Sequence, residues 1–487
     1  MNDKNLIRNI KILLIFFSLC FFSMIVYLTY FDIFVADKIA NDTSNQRVRL
    51  EESKILRGSI LDRDGDIIVY SEVKNGKDQR RVYKYGEEFA HLTGYNSYKY
   101  GKSGIELAYN DVLIGRASAS YDMVGNFFKG LREFINKDTK RGDDVYLTID
   151  KNLQNKAFNV LGNDRGAVVV LNPKTGEILA MVSKPSFNPQ DYFDDNTNKI
   201  KVYNSEQSGA PQVNRAVSGN YTPGSTFKII TTASALENIG NINKKYFNCT
   251  GKLKIGNYVL SDAGGEAHGR LDLQSAFRVS CNSTFGQIGM ELGYDKLKNT
   301  AENFMFNGDI SFNDEYSIFN VREGSIDIKD EKDRAYLAQS AIGQGEVTAS
   351  PLQMALVASS IANDGVMMKP YVVKEIKDRY DVSLYQAKPE KLTSPVSKDV
   401  ADKIKGYMEE VVKEGTGKNA RISGIKIAGK TGTAEVGENQ EPHSWFVGFA
   451  PVENPQIAFA VIVENGGAGG KRAAEIAREV MRAYFKK

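Results

Sequence analysis

A serine and a lysine three residues apart could form a nucleophile and its base. Ser225 and Lys228 lie in GNYTPGSTFKIITTASALENIG, which covers residues 219–240. A serine hydroxyl needs a neighbouring base to act as a nucleophile at neutral pH. Residues i and i+3 share one helix face, so a helix that begins at Ser225 would direct Lys228 toward the serine hydroxyl. The free N–H groups at that helix end would also stabilise an oxyanion.

The apolar residues that follow predict this helix, because they recur on one helix face and Gly240 is a typical stop. They are Ile229, Ile230, Ala233, Leu236 and Ile239. The pattern Ser-x-x-Lys alone carries little information, because an N-cap serine followed by a solvated lysine gives the same letters.

Two further patterns lie downstream. Ser280 and Asn282 lie in RVSCNSTFG, in a helical context, and Lys430 to Thr433 lie in IKIAGKTGTAEVG, at the end of a strand-like run. Taken singly, they are explained by a helix-end cap and by a solvated strand lysine. The order Ser-x-x-Lys, Ser-x-Asn, Lys-Thr-Gly, with each pattern in a suitable element, indicates one serine acyl-transfer site.

Composition limits the function classes. The chain has 487 residues, 25% of them charged and 42% apolar, which is typical of a globular protein of two to four domains. The net charge of +3 is small. We find no basic stripe, zinc-finger spacing or phosphate-binding loop in the sequence, so nucleic acid is not an expected partner.

The N-terminus predicts a membrane anchor. Residues 12–31 carry no charge over about the length of one membrane span, and Lys4, Arg8 and Lys11 precede them. The apolar run is longer than that of a cleaved signal peptide. The positive flank predicts that residues 1–11 form a cytoplasmic tail and that the rest lies outside. A buried core helix is the alternative, although such helices are rarely apolar on every face.

The remaining elements predict an α+β protein. Residues 32–144 are polar and irregular, with a strand-turn-strand in RGSILDRDGDIIVYS, and we expect a pedestal domain that resembles a dimerisation module. Residues 145–487 are expected to form the catalytic domain. Its two predicted hairpins, GAVVVLNPKTGEILAMVS and SWFVGFAPVENPQIAFAVIVENG, could join in one antiparallel sheet on which helices pack.

On these patterns the sequence resembles the class B penicillin-binding proteins, most of all their smaller cell-division or sporulation members. Further segments that carry the resemblance are RGSILDRDG, SGIELAYNDVLIG, LNPKTGEILAMVSKPSFNP, NRAVSGNYTPGSTFKI and AIGQGEVTASPLQMA. The resemblance covers nearly the whole chain. It implies a β-lactamase/transpeptidase-like domain, D,D-transpeptidation of peptidoglycan stem peptides that end in D-Ala-D-Ala, and inhibition by β-lactams. It also implies no cofactor for the chemistry, a place in the bacterial cell membrane, and an integral-membrane peptidoglycan polymerase as partner.

The resemblance further implies a role for each residue of the first two patterns. Ser225 attacks the stem-peptide carbonyl, and a neutral Lys228 takes the hydroxyl proton. Ser280 passes a proton to the leaving D-Ala amine. Asn282 holds the substrate amide and contacts Lys228.

The third pattern would bind the substrate. Lys430 would lie near the terminal carboxylate, and the hydroxyls of Thr431 and Thr433 would donate hydrogen bonds. Gly432 would let the strand approach the substrate closely. The backbone N–H groups of Ser225 and Thr433 would form the oxyanion hole.

Four residues around the second pattern could hold a metal ion. Cys249, Asp262, His268 and Cys281 offer the donors of a tetrahedral zinc site, which would brace the Ser-Cys-Asn loop without taking part in the chemistry. The spacing matches no short zinc motif. A disulfide between Cys249 and Cys281 would fit an exported protein equally well, and two free thiols are the third interpretation.

Three other functions use the same residues. A β-lactamase or a D,D-carboxypeptidase would transfer the acyl group to water, although the anchor and pedestal argue against a secreted β-lactamase. A non-catalytic β-lactam-binding scaffold or sensor would not need a complete set of catalytic side chains. The two remaining histidines, His91 and His443, are interpreted as ordinary polar residues.

Overall fold

The structure is a computed structural model, which describes residues 3–31, 52, 54–74, 78–116, 141–327, 333–437 and 440–486. The strands are β1 (Ile60–Leu61), β2 (Ile67–Lys74), β3 (Asp78–Tyr83), β4 (Asn96–Ser97), β5 (Gly101–Lys102), β6 (Asp144–Leu147), β7 (Gly166–Leu171), β8 (Ile178–Lys184), β9 (Phe247–Cys249), β10 (Lys252–Ile255), β11 (Tyr258–Ser261), β12 (Gly269–Leu271), β13 (Met367–Met368), β14 (Val373–Lys377), β15 (Ser383–Gln386), β16 (Lys391–Thr393), β17 (Ala428–Ala434), β18 (His443–Ala450) and β19 (Ile457–Val463). The α-helices are α1 (Asp3–Phe31), α2 (Ala90–Thr93), α3 (Gly104–Ala108), α4 (Asn110–Leu113), α5 (Lys151–Leu161), α6 (Pro189–Phe193), α7 (Thr197–Tyr203), α8 (Arg215–Ser218), α9 (Lys228–Asn238), α10 (Leu273–Val279), α11 (Asn282–Leu292), α12 (Tyr294–Asn303), α13 (Arg334–Ala341), α14 (Pro351–Ala362), α15 (Lys398–Lys413) and α16 (Arg472–Phe485).

The catalytic part is built on an antiparallel sheet with the strand order β17-β18-β19-β7-β8. Strand β19 pairs with β7, with Ala460 opposite Val169. Every residue of β7 and β19 is buried, as expected of strands that are covered on both faces. Helix α14 packs on one face of the sheet, and α5 and α16 pack on the other. The predicted joining of hairpins from both ends of the domain is confirmed.

A second sheet has the strand order β15-β14-β6-β1-β2-β3. Its predicted strand-turn-strand forms β1 and β2, and in the turn the Asp62 carboxylate accepts the N–H of Asp64 at 3.0 Å and of Asp66 at 2.8 Å. Gly65 has a φ of +91°, which favours glycine. Strands β14 and β15 come from much later in the chain, so this sheet joins the pedestal to the catalytic part.

The proposed division of the chain at residue 144 stays a prediction. Part of the predicted pedestal lies outside the described residues, namely 32–51, 53, 75–77 and 117–140.

A buried ion-pair network holds the pedestal together. Glu106 on α3 accepts Arg57 Nε at 2.6 Å and Arg81 Nε at 2.7 Å, and none of the three side chains is more than 4% exposed. Burial alone would raise the pKa of Glu106, but the two guanidinium groups hold it below its ordinary value. Arg57 also donates to Asn110 Oδ1 at 2.8 Å, which ties the segment before β1 to α4.

Helix α1 has the length and composition of a single membrane span. Residues 7–31 have a mean hydropathy of 2.5, and none of the helix is buried in the protein. It contains the whole predicted apolar run and also most of the predicted cytoplasmic tail. Exposure along its length argues against the alternative of a core helix.

Candidate active site

Ser225 lies in a short 3₁₀ turn, Gly224–Phe227, that leads directly into α9. The predicted helix is therefore present, although its first turn is tighter than an α-helix. It ends at Asn238, two residues before the predicted stop. Ser225 is half-buried, whereas Lys228 is fully buried beneath it.

Lys228 is hydrogen-bonded to the second pattern. Its Nζ donates to the Ser280 carbonyl oxygen at 2.7 Å, to Asn282 Oδ1 at 2.8 Å and to Ser280 Oγ at 3.3 Å. These three acceptors match the three donors of an ammonium group. Among the described residues, no direct hydrogen bond joins Lys228 Nζ to the hydroxyl of Ser225. Loss of one proton from Lys228 would release a lone pair for that hydroxyl.

Burial lowers the pKa of Lys228 to about 7, against the opposing effects of Cys281 and Asp262. The desolvated site disfavours the ammonium form, and the nearest acidic groups only partly compensate. A substantial fraction of Lys228 is therefore neutral near pH 7, as a general base requires.

Lys430, on strand β17 of the central sheet, also contacts Ser280. Its Nζ donates to Ser280 Oγ at 2.9 Å and to the Thr431 carbonyl oxygen at 3.1 Å. Burial and then the charge of Lys228 lower the pKa of Lys430 well below its ordinary value. The Ser280 hydroxyl thus lies between two buried lysines that come from the first and third patterns.

The loop between α10 and α11 has an unusual backbone at Ser280. This residue has a φ of +62° and a ψ of +39°, which costs a non-glycine residue about 1–3 kcal/mol. Cys281 then caps α11, because its Sγ accepts the N–H of Thr284 at 3.3 Å. This conformation directs Ser280 and Asn282 together at Lys228. Asn282 is fixed further by donating Nδ2 to the Ser261 carbonyl oxygen at 2.9 Å.

The third pattern lies on β17, the outer strand nearest Ser225. A Cβ on Gly432 would lie 2.8 Å from the Pro223 carbonyl oxygen, so this glycine allows the nucleophile segment to pack against the strand. The Thr431 side chain is buried, and its hydroxyl is 2.6 Å from that of the exposed Thr416. Thr433 is exposed, and its hydroxyl accepts the N–H of Gly469 at 3.2 Å.

The four candidate metal ligands lie together. One donor atom from each of Cys249, Asp262, His268 and Cys281 falls within 4.8 Å of every other. The pairing of β9 with β12 brings the first and third of these close, with 3.4 Å between Cys249 Sγ and His268 Nδ1. Within the described residues Cys249 and Cys281 are both free and buried, so the structure does not contain the alternative disulfide.

The donor set fits a zinc ion. Two thiols, one imidazole and one carboxylate are four ligands of types that zinc takes in proteins, and four ligands complete its tetrahedral coordination. Asp262 already serves a second purpose, because its Oδ1 accepts the N–H of Asn282 at 2.5 Å and its other oxygen accepts the hydroxyl of Ser283. Asp262 therefore links the cluster directly to the start of α11, at Asn282.

Sequence reasoning assigned no role to several contacts of the site. The Ser261 carbonyl supports Asn282, and the segment that follows α13 contacts the turn of Ser225 through Gly343 and strand β17 through Gln344. Only the paired glycines in AIGQG hint at the second contact, because backbone carbonyls leave no mark in a sequence. His91 is half-buried and lies outside this site, where its Nε2–H donates to the Pro211 carbonyl oxygen at 2.8 Å.

Two known sequence families match the chain. The penicillin binding protein transpeptidase domain matches residues 166–482, which include all three patterns. The penicillin binding protein A dimerisation domain matches residues 57–145, which correspond to most of the predicted pedestal.

Relatives match along most of the chain. The peptidoglycan D,D-transpeptidase PbpA of Mycolicibacterium smegmatis is 35% identical over 481 residues, which cover 94% of this chain and 95% of that protein. The peptidoglycan D,D-transpeptidase MrdA of Acinetobacter baumannii is 32% identical over 450 residues, which cover 82% of this chain and 65% of that protein.

Solved structures share the fold. Penicillin-binding protein A from M. tuberculosis, in a ceftriaxone acyl-enzyme complex, has a TM-score of 0.82 and 32% identity, over 89% of this chain and 99% of that one. A D,D-transpeptidase domain from Eggerthella lenta has a TM-score of 0.78 and 34% identity, with the same coverage. The predicted α+β fold is confirmed.

Proposed function

We propose that this chain, which belongs to the family of penicillin-binding proteins with a transpeptidase domain, cross-links peptidoglycan stem peptides through an acyl-enzyme on Ser225. It is an enzyme of the serine-type D,D-transpeptidase class, as its relatives of similar length are named, and β-lactams are its inhibitors. The observation that supports the assignment of residues is that Lys228 and Lys430 both donate to the Ser280 hydroxyl, so that side chains of all three patterns meet in one place.

Acylation begins with neutral Lys228. Ser225 Oγ attacks the carbonyl carbon of the penultimate D-Ala while its proton passes to Lys228 Nζ. The tetrahedral intermediate then collapses, the peptide bond breaks, and the terminal D-Ala leaves as an amine. The proton that this amine needs returns from Lys228 through the Ser280 hydroxyl, which accepts from Lys228 and can donate onward.

The third pattern stabilises the substrate and the oxyanion. The N–H groups of Ser225 and Thr433 donate to the carbonyl oxygen as its negative charge develops. Lys430 is in its protonated, charged form when the terminal carboxylate of the substrate is bound, because a nearby anion raises the pKa of a lysine. The charge on Lys430 in turn keeps Lys228 neutral.

Deacylation runs in the opposite direction. The amine of a neighbouring stem peptide attacks the acyl-enzyme carbonyl and gives a proton to neutral Lys228 through the Ser280 hydroxyl, and the ester bond then breaks as Lys228 returns that proton to Ser225 Oγ. The new peptide bond replaces the ester, so no net proton is gained or lost. Water in place of the amine would give a carboxypeptidase or a β-lactamase.

We also propose that the cluster of Cys249, Asp262, His268 and Cys281 holds a structural zinc ion. When bound, the ion supplies no chemistry to acyl transfer and cross-links the β9–β12 excursion to the Ser-Cys-Asn loop. The fit rests on the shared 4.8 Å neighbourhood of the four donors. Asp262 connects this brace to Asn282, because the Asp262 carboxylate accepts the backbone N–H of Asn282.

The setting of the enzyme is the bacterial cell membrane. The exposed apolar helix α1 supports a single-pass anchor, and the lysines and arginine before it support an extracytoplasmic catalytic part. An integral-membrane peptidoglycan polymerase is the proposed partner, through α1 and the pedestal, as the family resemblance implies.

Mass spectrometry of the intact protein with benzylpenicillin tests the function. The wild-type chain should gain one penicillin that persists for hours, Ser225→Ala should gain none, and Ser218→Ala, outside the three patterns, should behave as wild type. Rapid loss of the drug without a lasting adduct would make the protein a β-lactamase. If neither an adduct nor hydrolysis of the drug is observed, the protein would be a non-catalytic scaffold.

A further inference from the structure

The turn Gly343-Gln344-Gly345 lies against the segment that carries Ser225. It follows α13, and both glycines have a left-handed backbone, with φ values of +72° and +70°. Because its flanking residues have no side chains, the turn presents only Gln344 to its surroundings. Gln344 is half-buried.

The first contact of this turn is with the backbone just before Ser225. The Gly224 N–H donates to the Gly343 carbonyl oxygen at 2.9 Å. A Cβ on Gly343 would lie 2.2 Å from the Gly224 carbonyl oxygen and 2.5 Å from Phe227 Cβ, which no side chain tolerates. The turn therefore fixes the position of the residue that precedes the nucleophile.

The second contact is with β17. Gln344 Nε2 donates to the Thr433 carbonyl oxygen, at 3.5 Å. In an extended strand the N–H and carbonyl of one residue point to the same side, and β17 is an outer strand of its sheet. The Thr433 N–H therefore faces the same cleft as its carbonyl. A Cβ on Gly224 would lie only 2.6 Å from that carbonyl oxygen, so the two backbone segments are in direct contact here.

From these two contacts we propose that Gln344 is a positioning residue of the oxyanion hole. The turn touches both segments that supply its donors, and so sets the spacing between the N–H of Ser225 and the N–H of Thr433. This inference rests on the proposed acyl transfer at Ser225. Removing one oxyanion-hole donor typically costs about 10²–10³ in rate, so a small misplacement should slow acylation without weakening ground-state binding.

The test replaces Gln344 in the full-length protein in detergent. Gln344→Met keeps the length of the side chain and removes its carboxamide. Acylation by a fluorescent penicillin over a range of concentrations separates the limiting rate constant from the half-saturating concentration. We expect the rate constant to fall about tenfold or more and the half-saturating concentration to change less than about twofold. Gln386→Met, on the exposed strand β15, is the matched control and should behave as wild type.

A boronic acid with an arylacetamido group gives an independent readout. Its tetrahedral adduct on Ser225 places an oxygen in the oxyanion hole, so its dissociation constant should rise by the factor by which acylation slows, in Gln344→Met and in Gln344→Glu. The positioning role would be overturned if both variants acylate at the wild-type rate, or if only the half-saturating concentration changes. It would also be overturned if both variants acylate slowly and have a lowered melting temperature. A wild-type protein that never acylates would refute the proposed function itself, and this inference with it.

Discussion

The Ser280 hydroxyl oxygen lies 2.9 Å from Lys430 Nζ. This contact joins a loop between two helices to the outer strand of the central sheet, in the interior of the protein. Lys228 reaches the same oxygen from a third element. The position of this single hydroxyl therefore depends on three separate parts of the chain.

Acylation is expected to rise with pH through about 7. Burial lowers the pKa of Lys228 from 10.5 to about 7, so the amine is protonated below that pH and neutral above it. Since only the neutral amine can take the Ser225 proton, the acylation rate constant should fall about tenfold for each pH unit below the pKa. Stopped-flow acylation with a fluorescent penicillin, with melting temperatures at each pH as the control, measures this. A flat profile across pH 7 would contradict the role of Lys228 as base.

Ser280 should be needed for its hydroxyl and not for its backbone. Ser280→Ala and Ser280→Gly both remove the hydroxyl and should slow acylation by about 10²–10⁴-fold, the usual contribution of a positioned proton-transfer group. Their stabilities should differ, because alanine at a φ of +62° is strained and glycine is not. We expect glycine to be the more stable variant by about 1 kcal/mol in denaturant unfolding. Equal stability, or near-normal acylation by either variant, would argue against this account.

Glu106→Gln should destabilise the protein by about 3–5 kcal/mol, because it leaves two buried guanidinium groups without their shared counter-ion. Urea unfolding measures the loss, and the acylation rate of the folded protein should stay unchanged. Glu72→Gln is the control, since Glu72 forms a half-exposed pair with Arg80 and its removal should cost under about 0.5 kcal/mol. Similar losses in the two variants would mean that the buried network is not a main support of the pedestal.

Purified full-length protein should contain about one zinc ion per chain by elemental analysis, if the four donors hold a metal as proposed. His268→Ala should lose the metal, while His443→Ala should retain it. Chelation should release two titratable thiols and slow acylation, because the brace beside Asn282 is lost. Metal-free protein in which Cys249 and Cys281 fail to titrate would point to a disulfide instead.

Local patterns in the sequence predicted much of the site. The 3.6-residue spacing after Ser225 predicted helix α9, and apolar runs on both sides of turn residues predicted the hairpins that form the central sheet. These features depend on neighbours along the chain, which a sequence displays directly. The order of the three patterns then indicated which side chains would meet, although not how closely.

What the sequence could not provide were contacts between distant segments. Strands β14 and β15 join the pedestal sheet from more than two hundred residues away, and no turn signal announces that pairing. Likewise, the helix face suggested that Lys228 would bond to Ser225, whereas its three hydrogen bonds go to Ser280 and Asn282. A buried ammonium binds the acceptors that the folded chain brings to it, and these come from the loop between α10 and α11 and from the first residue of α11.

The pairing of β7 with β19 determines when the active site can assemble during synthesis of the chain. Strand β7 is synthesised well before its neighbour β19, because Val169 pairs with Ala460, almost three hundred residues later in the chain. Until β19 has left the ribosome, β7 has no partner on that side and the central sheet, with Lys430 on its outer strand β17, cannot be completed. A nascent chain that has not yet reached β19 therefore has no assembled active site, and acyl-transfer chemistry becomes available only after this strand has been made.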